Sequence, residues 1–301
     1  MSAALRAPFP WFGGKSRAAA AVWSALGDVD HYVEPFCGSA AVLLARPHAP
    51  SLETINDADG FVANFWRAVA ADPAAVAHHA DWPVNEADLH ARHRWLIGER
   101  ASMTERLVAD PSWCDARIAG WWCWGSLLWI GDDWCRTASS KLPNIDARGG
   151  RIACAAPEVM PDTLAALSDR LRLVRVVCGS WERVLCPTTL TGVRRVGVFL
   201  DPPYATGKQQ YAAGGTGTSL SAEAREWAIN RGTEPQMRIV LAGYEGEHDM
   251  PAGWRCESWK ANGGYGSLAD SEGRANASRE RLWLSPHCVR NDHGPLFGGS
   301  L

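Results

Sequence analysis

VGVFLDPPY, residues 196–204, decides how the rest of the chain is read. Five continuously apolar residues end in an acid, two prolines and a tyrosine. Such a run reads as a strand buried on both faces, the kind found inside a parallel sheet. In open α/β sheets ligands bind outside the carboxyl ends of the strands, so Asp201 to Tyr204 stand where chemistry is expected. Pro202 and Pro203 fix the backbone, remove two N–H donors and leave the Pro202 carbonyl as an acceptor. A carboxylate, a carbonyl and an aromatic ring then share a small space. That set suits a planar base with an exocyclic amino group: Asp201 and the Pro202 carbonyl accept its two N–H bonds and Tyr204 stacks on its face. The same four residues also make a plain tight turn at a strand end, and the motif alone leaves both readings open.

Working outward, strands alternate with helices. Strands are expected at 31–33, 52–56, 172–178, 196–200 and 238–243, with late strands near WRCESW and ERLWLS. Helices are expected from a Ser16 cap through RAAAAVWSAL to Gly27, after EPFCGSA, from Asp59 to Ala70, over PDTLAALSDRL and over SAEAREWAINR. This alternation indicates an α/β fold with a mainly parallel sheet covered on both faces. Between about 72 and 158 no strand is evident, helical periodicity is broken, and tryptophans crowd 113–134. The sheet domain is therefore expected over 1–71 and 159–289, with a helical insert at 72–158 and a flexible tail at 290–301. Gly/Ser-rich stretches at 213–219 and 262–275 read as loops.

Two further segments carry chemistry-bearing residues. Glu34-Pro35-Phe36-Cys37-Gly38-Ser39-Ala40 follows a strand and opens a helix, the geometry of a nucleotide-binding first turn, with Gly38 permitting close backbone approach. Asp57 ends the next strand 19 positions after Gly38, where an acid often holds ribose hydroxyls. Asp59 fits a helix cap better, which leaves Asp57 for a ligand. Near the N-terminus, WFGGKS (11–16) looks like a phosphate-binding loop, but the first glycine of such a loop would fall at Phe9, between Pro8 and Pro10. No strand fits there, so a triphosphate loop is disfavoured.

Composition sets outer limits. The 301 residues, 47% hydrophobic and 21% charged, suit an ordinary globular protein, and a net charge of −3 argues against a nonspecifically cationic nucleic-acid coat. Nine cysteines form no CxxC pair, which suggests neither a zinc site nor a disulfide framework. His90 and His93 share a helix face but lack partner ligands, so no metal is expected. No signal peptide or membrane-spanning run is evident, and a cytoplasmic location is the expectation.

Together the motifs resemble the D12 class of DNA adenine-N6 methyltransferases, which includes the bacterial GATC adenine methylases. Trp11 to Lys15 is similar to that family's WxGGK opening, and Glu34 to Val42 to its EPFxGsGxv cofactor motif. Asn56, Asp57, Asn64 and, loosely, Trp66 follow its acidic turn, and DPPY matches in full. Asn262-Gly263-Gly264 and Glu280 to Leu284 match a late NGG segment and an E-x-L-W strand. The resemblance covers about 9–68 and 170–286; it departs at Ala40, where the family has its second glycine, and at Asp59, where asparagine is usual.

The resemblance implies a Rossmann-like S-adenosylmethionine-dependent fold with a target-recognition insert, acting on double-stranded DNA by methyl transfer to the N6 of a flipped-out adenine. It implies Asp201, Pro202, Pro203 and Tyr204 as catalytic, and Trp11, Lys15, Glu34, Pro35, Phe36, Gly38, Asp57 and Asp201 as lining the cofactor pocket. Lys15 would approach the cofactor's carboxylate or neighbouring acids. In the insert, Arg136, Lys141, Arg148 and Arg151 are the candidate DNA contacts, whereas Trp121, Trp122, Trp124 and Trp129 read as core. Lys208 and Tyr211 lie in a loop that would close over the base. A restriction–modification system or a phage is the expected setting, with no obligate protein partner. Cytosine-N4 methylation and a non-catalytic DNA-binding module, the latter permitted by Ala40, remain the alternatives.

Overall fold

The computed structural model describes residues 5–11, 13–110, 112–131, 134–138, 140–145, 160–190, 192–204, 217–259 and 279–290. Arg148, Arg151, Lys208, Tyr211, the Asn262-Gly263-Gly264 segment, the 158/159 boundary and the tail beyond 290 lie outside these residues.

Seven strands form one sheet: β1 His31–Glu34, β2 Leu52–Asp57, β3 Val174–Cys178, β4 Val196–Leu200, β5 Met237–Tyr244, β6 Arg255–Ser258 and β7 Glu280–Leu284. Their order is β3-β2-β1-β4-β5-β7-β6. β1 to β5 pair in parallel, and β7 pairs antiparallel with both β5 and β6. The strand order reverses between β1 and β4, which creates a crevice at their carboxyl ends. The apolar reading of 196–200 holds, since every residue of β4 is buried. Alternate residues feed two cores. Tyr32, Ile55, Phe199 and Val240 pack on one side, and Val33, Val198, Leu200, Ile239 and Leu241 on the other.

Helix α1 (Ala19–Leu26) ends at Gly27, whose φ of 61° suits glycine. The expected Ser16 cap is not made: the helix starts after Ala18 with no side-chain cap, because residues 16–18 form a turn that carries Lys15 toward the sheet instead. Helix α2 is a single turn, Ala41–Leu44. Helix α3 (Gly60–Ala71) is capped by Asp59, whose carboxylate accepts from the Phe61 N–H at 3.0 Å, and it buries Phe61, Val62, Phe65 and Val69 as the periodicity predicts. α7 (Met160–Leu171) covers the same side, while a 3-10 helix (Trp181–Leu185), α8 (Pro187–Leu190) and α9 (Gly217–Arg231) belong to the other. The expected loop at 213–219 is shorter at its end, because 217–219 already belong to α9.

The insert holds α4 (Pro73–Ala80), α5 (Glu86–Ala109) and α6 (Ala116–Ser126), started by Asp72, Asn85 and Asp115 caps. Its periodicity is not broken after all. α5 runs for 24 residues with a buried stripe of Leu89, Arg92, His93, Leu96, Met103 and Leu107. The stripe escapes a hydrophobicity pattern because two of its members are polar. The Arg92 guanidinium carbon lies 4.5, 5.0 and 4.5 Å from the rings of Trp82, Trp121 and Trp124. His93 stacks on Trp129 and Trp134 at 4.4 and 4.9 Å, accepts from the Cys135 N–H and faces the Thr137 carbonyl. Trp122, Trp124 and Trp129 are core, and Trp121 is half-buried against it. That core is continuous with the sheet domain: Phe9 meets Phe65 at 5.0 Å and Trp122 at 4.8 Å.

Beneath the sheet's near end, Glu53 is fully buried and grips two arginines. Arg170 of α7 donates at 2.6 and 2.8 Å and Arg46 at 3.0 Å, so one carboxylate ties β2 to α7 and to the turn after α2. Among the described residues no helix is long and apolar enough to cross a membrane.

Candidate active site

Asp201 leaves β4 at the point where the strand order reverses. Its Oδ1 lies 3.1 Å from the Lys15 ammonium and 3.1 Å from the Tyr204 hydroxyl. Glu280, the first residue of β7, brings its Oε2 to 2.9 Å from the same hydroxyl and 3.6 Å from the same ammonium. Sheet register explains its arrival. Glu280 stands opposite Tyr244 in the β5–β7 pair, and Tyr244 meets the Tyr204 ring edge-on at 4.5 Å. Lys15 also donates to the Gly13 carbonyl at 2.7 Å, and its ammonium lies 5.0 Å from the Tyr204 ring centre. Lys15 thus approaches the acids of the site, one of the two placements the sequence implied.

Electrostatics follows from burial. Burial raises the Asp201 carboxyl above its usual value, and Lys15 pulls it back. Glu280 is raised for the same reason, again opposed by Lys15. The Tyr204 phenol is pushed well up by burial and by the two carboxylates it bridges. It therefore remains a hydroxyl, its single proton shared between two acceptors. Asp201 Oδ2 and the Pro202 carbonyl take no donor among the described residues.

The neighbouring turn is built around Asp57. One of its oxygens accepts from the Gly38 N–H at 3.0 Å and the other from the Asp59 N–H at 2.8 Å. Each oxygen keeps a second lone pair for a hydroxyl. Burial lifts this carboxyl to about 6, and Arg136, a candidate DNA contact, is close enough to draw it down. Gly38 sits at φ 45°, and the Trp11 indole lies over its α-carbon. Ala40, where the family has glycine, is left-handed at φ 49° and ψ 31°.

The other candidates are engaged within the fold. Glu34 is buried and accepts from the Tyr32 hydroxyl at 3.0 Å and the Leu43 N–H at 3.2 Å; burial raises it to about 8. The Pro35 carbonyl accepts from Asn56 at 2.9 Å, and Phe36 stacks on Trp181 at 5.7 Å. Lys141 donates to the Ile130 carbonyl at 3.0 Å and lies 5.3 Å from the Trp129 ring. Two residues near the site carried no role in the sequence reading. Glu280 entered it only as the first residue of the E-x-L-W match, and Trp181, which stacks on Phe36, had no signal beyond its place after β3.

Residues 11–92 match the model of the D12 class N6 adenine-specific DNA methyltransferase family. No curated protein sequence matches the chain. The matched stretch holds the Trp11–Lys15 turn, the Gly38 turn and Asp57, while the DPPY strand end lies beyond it. Over residues 11–92, then, the chain is similar to the D12 class of N6 adenine-specific DNA methyltransferases.

Proposed function

We propose that the enzyme takes its methyl group from S-adenosylmethionine and delivers it to the N6 of an adenine flipped out of duplex DNA at a specific site. The observation that carries this reading is a pair of acceptors, Asp201 Oδ2 and the Pro202 carbonyl, that take no donor among the described residues and lie at the crevice where β1 and β4 part. The cofactor's residues fit as well. Asp57 keeps a lone pair on each oxygen for ribose hydroxyls, the Gly38 turn offers a backbone with no side chain, and Trp11 lies against it.

When bound, the cofactor supplies an electrophilic methyl group on a sulfonium sulfur. The amino group of adenine is a poor nucleophile because its lone pair is delocalised into the ring. Asp201 and the Pro202 carbonyl, each accepting one amino hydrogen, would favour a pyramidal nitrogen whose lone pair could take up the methyl group, the sulfonium leaving as a neutral thioether. The nitrogen then sheds one proton, for which Asp201 Oδ2 is the nearest base. Positioning and fixed charge supply most of the rate, with no strong base required. Flipping costs a few kcal/mol and is offset by stacking on Tyr204.

The insert at 72–158 is the natural reader of sequence, with Arg136, Lys141, Arg148 and Arg151 as its cationic contacts. Charge reversal at Arg148 and Arg151 should weaken DNA binding and flatten its salt dependence by roughly 0.9 per lost phosphate contact. An unchanged salt slope would exclude those two residues. Methyl incorporation into duplex DNA, compared between the native enzyme and Asp201→Ala, tests the reading as a whole. Cofactor binding retained with transfer abolished is the expected outcome.

A further inference from the structure

Four groups from three parts of the chain close a ring: Asp201 Oδ1, the Lys15 ammonium, Glu280 Oε2 and the Tyr204 hydroxyl, with neighbours at 3.1, 3.6, 2.9 and 3.1 Å. Lys15 and Glu280 are 4% and 6% exposed, while the Asp201 side chain keeps 19% of its surface, so the ring is buried on the Lys15–Glu280 side and open at Asp201. One carboxylate would suffice to neutralise Lys15. A second one, buried beside the first, is costly to keep unless it does something the first cannot.

We infer that Glu280 is a positioning residue for methyl transfer: by holding Lys15 and Tyr204 on Oδ1 of Asp201, it fixes that carboxylate so that Oδ2 faces the amine. This inference rests on the function proposed above. Glu280 also sets the charge of the cluster. Two carboxylates and one ammonium leave a net negative charge beside a nitrogen that becomes positive as its new bond forms, whereas Asp201 and Lys15 alone would cancel. Fixed charge aimed at developing charge is the most effective aid a site can give. The geometry also accounts for the position on β7, since the antiparallel pairing with Tyr244 brings Glu280 to the ring that Tyr204 enters from the β4 side.

The test compares the native enzyme with Glu280→Gln, Tyr204→Phe and Asp201→Asn. Glu280→Gln keeps shape and removes charge. It should lower kcat on the order of 10- to 100-fold, with the dissociation constants of S-adenosylmethionine and duplex DNA within about twofold of native. Its acid limb should also move. Asp201 is faced by Lys15 from the N-terminal turn, Tyr204 from its own loop, Glu280 from β7, Tyr244 from β5, Glu247 after β5 and Glu34 from β1. Deleting one negative neighbour lets Asp201 ionise more readily, so the acid limb of kcat shifts to lower pH. A merely structural role would lower melting temperature and binding together and leave that limb in place. Native kcat and an unmoved pH profile in Glu280→Gln overturn the inference. Should that variant fail to fold, Tyr204→Phe, which cuts the link between the two carboxylates, decides with the same readouts. If the native enzyme methylates and Asp201→Asn does not, the proposed function stands whatever Glu280 does. If the native enzyme transfers no methyl to adenine, both readings fall together.

Discussion

Replacing Gly38 with alanine should separate backbone strain from packing at the turn beside Asp57. A Cβ built at Gly38 falls 2.2, 2.5 and 2.7 Å from Nε1, Cδ1 and Cε2 of Trp11, where ordinary carbon contacts lie near 3.5–4.0 Å. The indole must therefore retreat by about 1 Å or more, and Phe9 and Trp122 flank it at ring distances of 6.3 and 6.4 Å. Overpacking of this kind costs roughly 1–3 kcal/mol. The φ of 45° adds the left-handed penalty of an L side chain, roughly 1–2 kcal/mol. The sum is about 2–5 kcal/mol, or a Tm lower by roughly 5–15 °C. Denaturation of Gly38→Ala, Trp11→Ala and the double variant partitions that sum. With the indole gone, alanine at 38 should cost only its left-handed part, so the two changes are non-additive. Additive losses would show that the indole does not rest on Gly38. The neighbour gives the opposite sign. Ala40 already carries a left-handed φ of 49°, so Ala40→Gly relieves roughly 1–2 kcal/mol. Glycine's freedom in the unfolded chain takes back roughly 0.4–1 kcal/mol, leaving a small net stabilisation.

Glu34 makes stability pH-dependent. Its folded pKa of about 8 lies above the ordinary 4.5, so the folded chain holds a proton that the unfolded chain releases between those values. Stability contributed by this group therefore falls as pH rises through that window, by up to about 1.4 kcal/mol per pH unit. Glu34→Gln should flatten the decline in Tm between pH 5 and 8, and an unchanged slope would refute the assignment. Glu53→Ala leaves Arg46 and Arg170 without their shared carboxylate and should cost about 3–5 kcal/mol. Calorimetry should then read a Tm drop on the order of 10 °C, whereas a change under about 2 °C would mean the arginines find other partners.

Much of the sheet domain was legible because its signals are local. Five apolar residues from Val196 to Leu200 can hardly be anything but a buried strand, and Asp59 ahead of an apolar stripe caps a helix by its own chemistry. The insert was harder. Its long helix buries Arg92 and His93 in cages of tryptophan supplied by distant residues, so a polar letter stands where the period calls for an apolar one. Ser16 misled for a related reason: a residue suited to capping lies instead in the turn that delivers Lys15. Asp201 and Lys15 were recognisable as motif residues, but their meeting at 3.1 Å is a fact of topology. Glu280 reaches them only through the antiparallel register of β7 on β5, and no spacing along the chain encodes that.

The most direct measurement is transfer of labelled methyl from S-adenosylmethionine to duplex DNA, followed by hydrolysis to nucleosides. The native enzyme should yield N6-methyladenine, and Asp201→Ala should yield none while still binding the cofactor. Label appearing on cytosine, or near-native transfer by Asp201→Ala, would contradict the account.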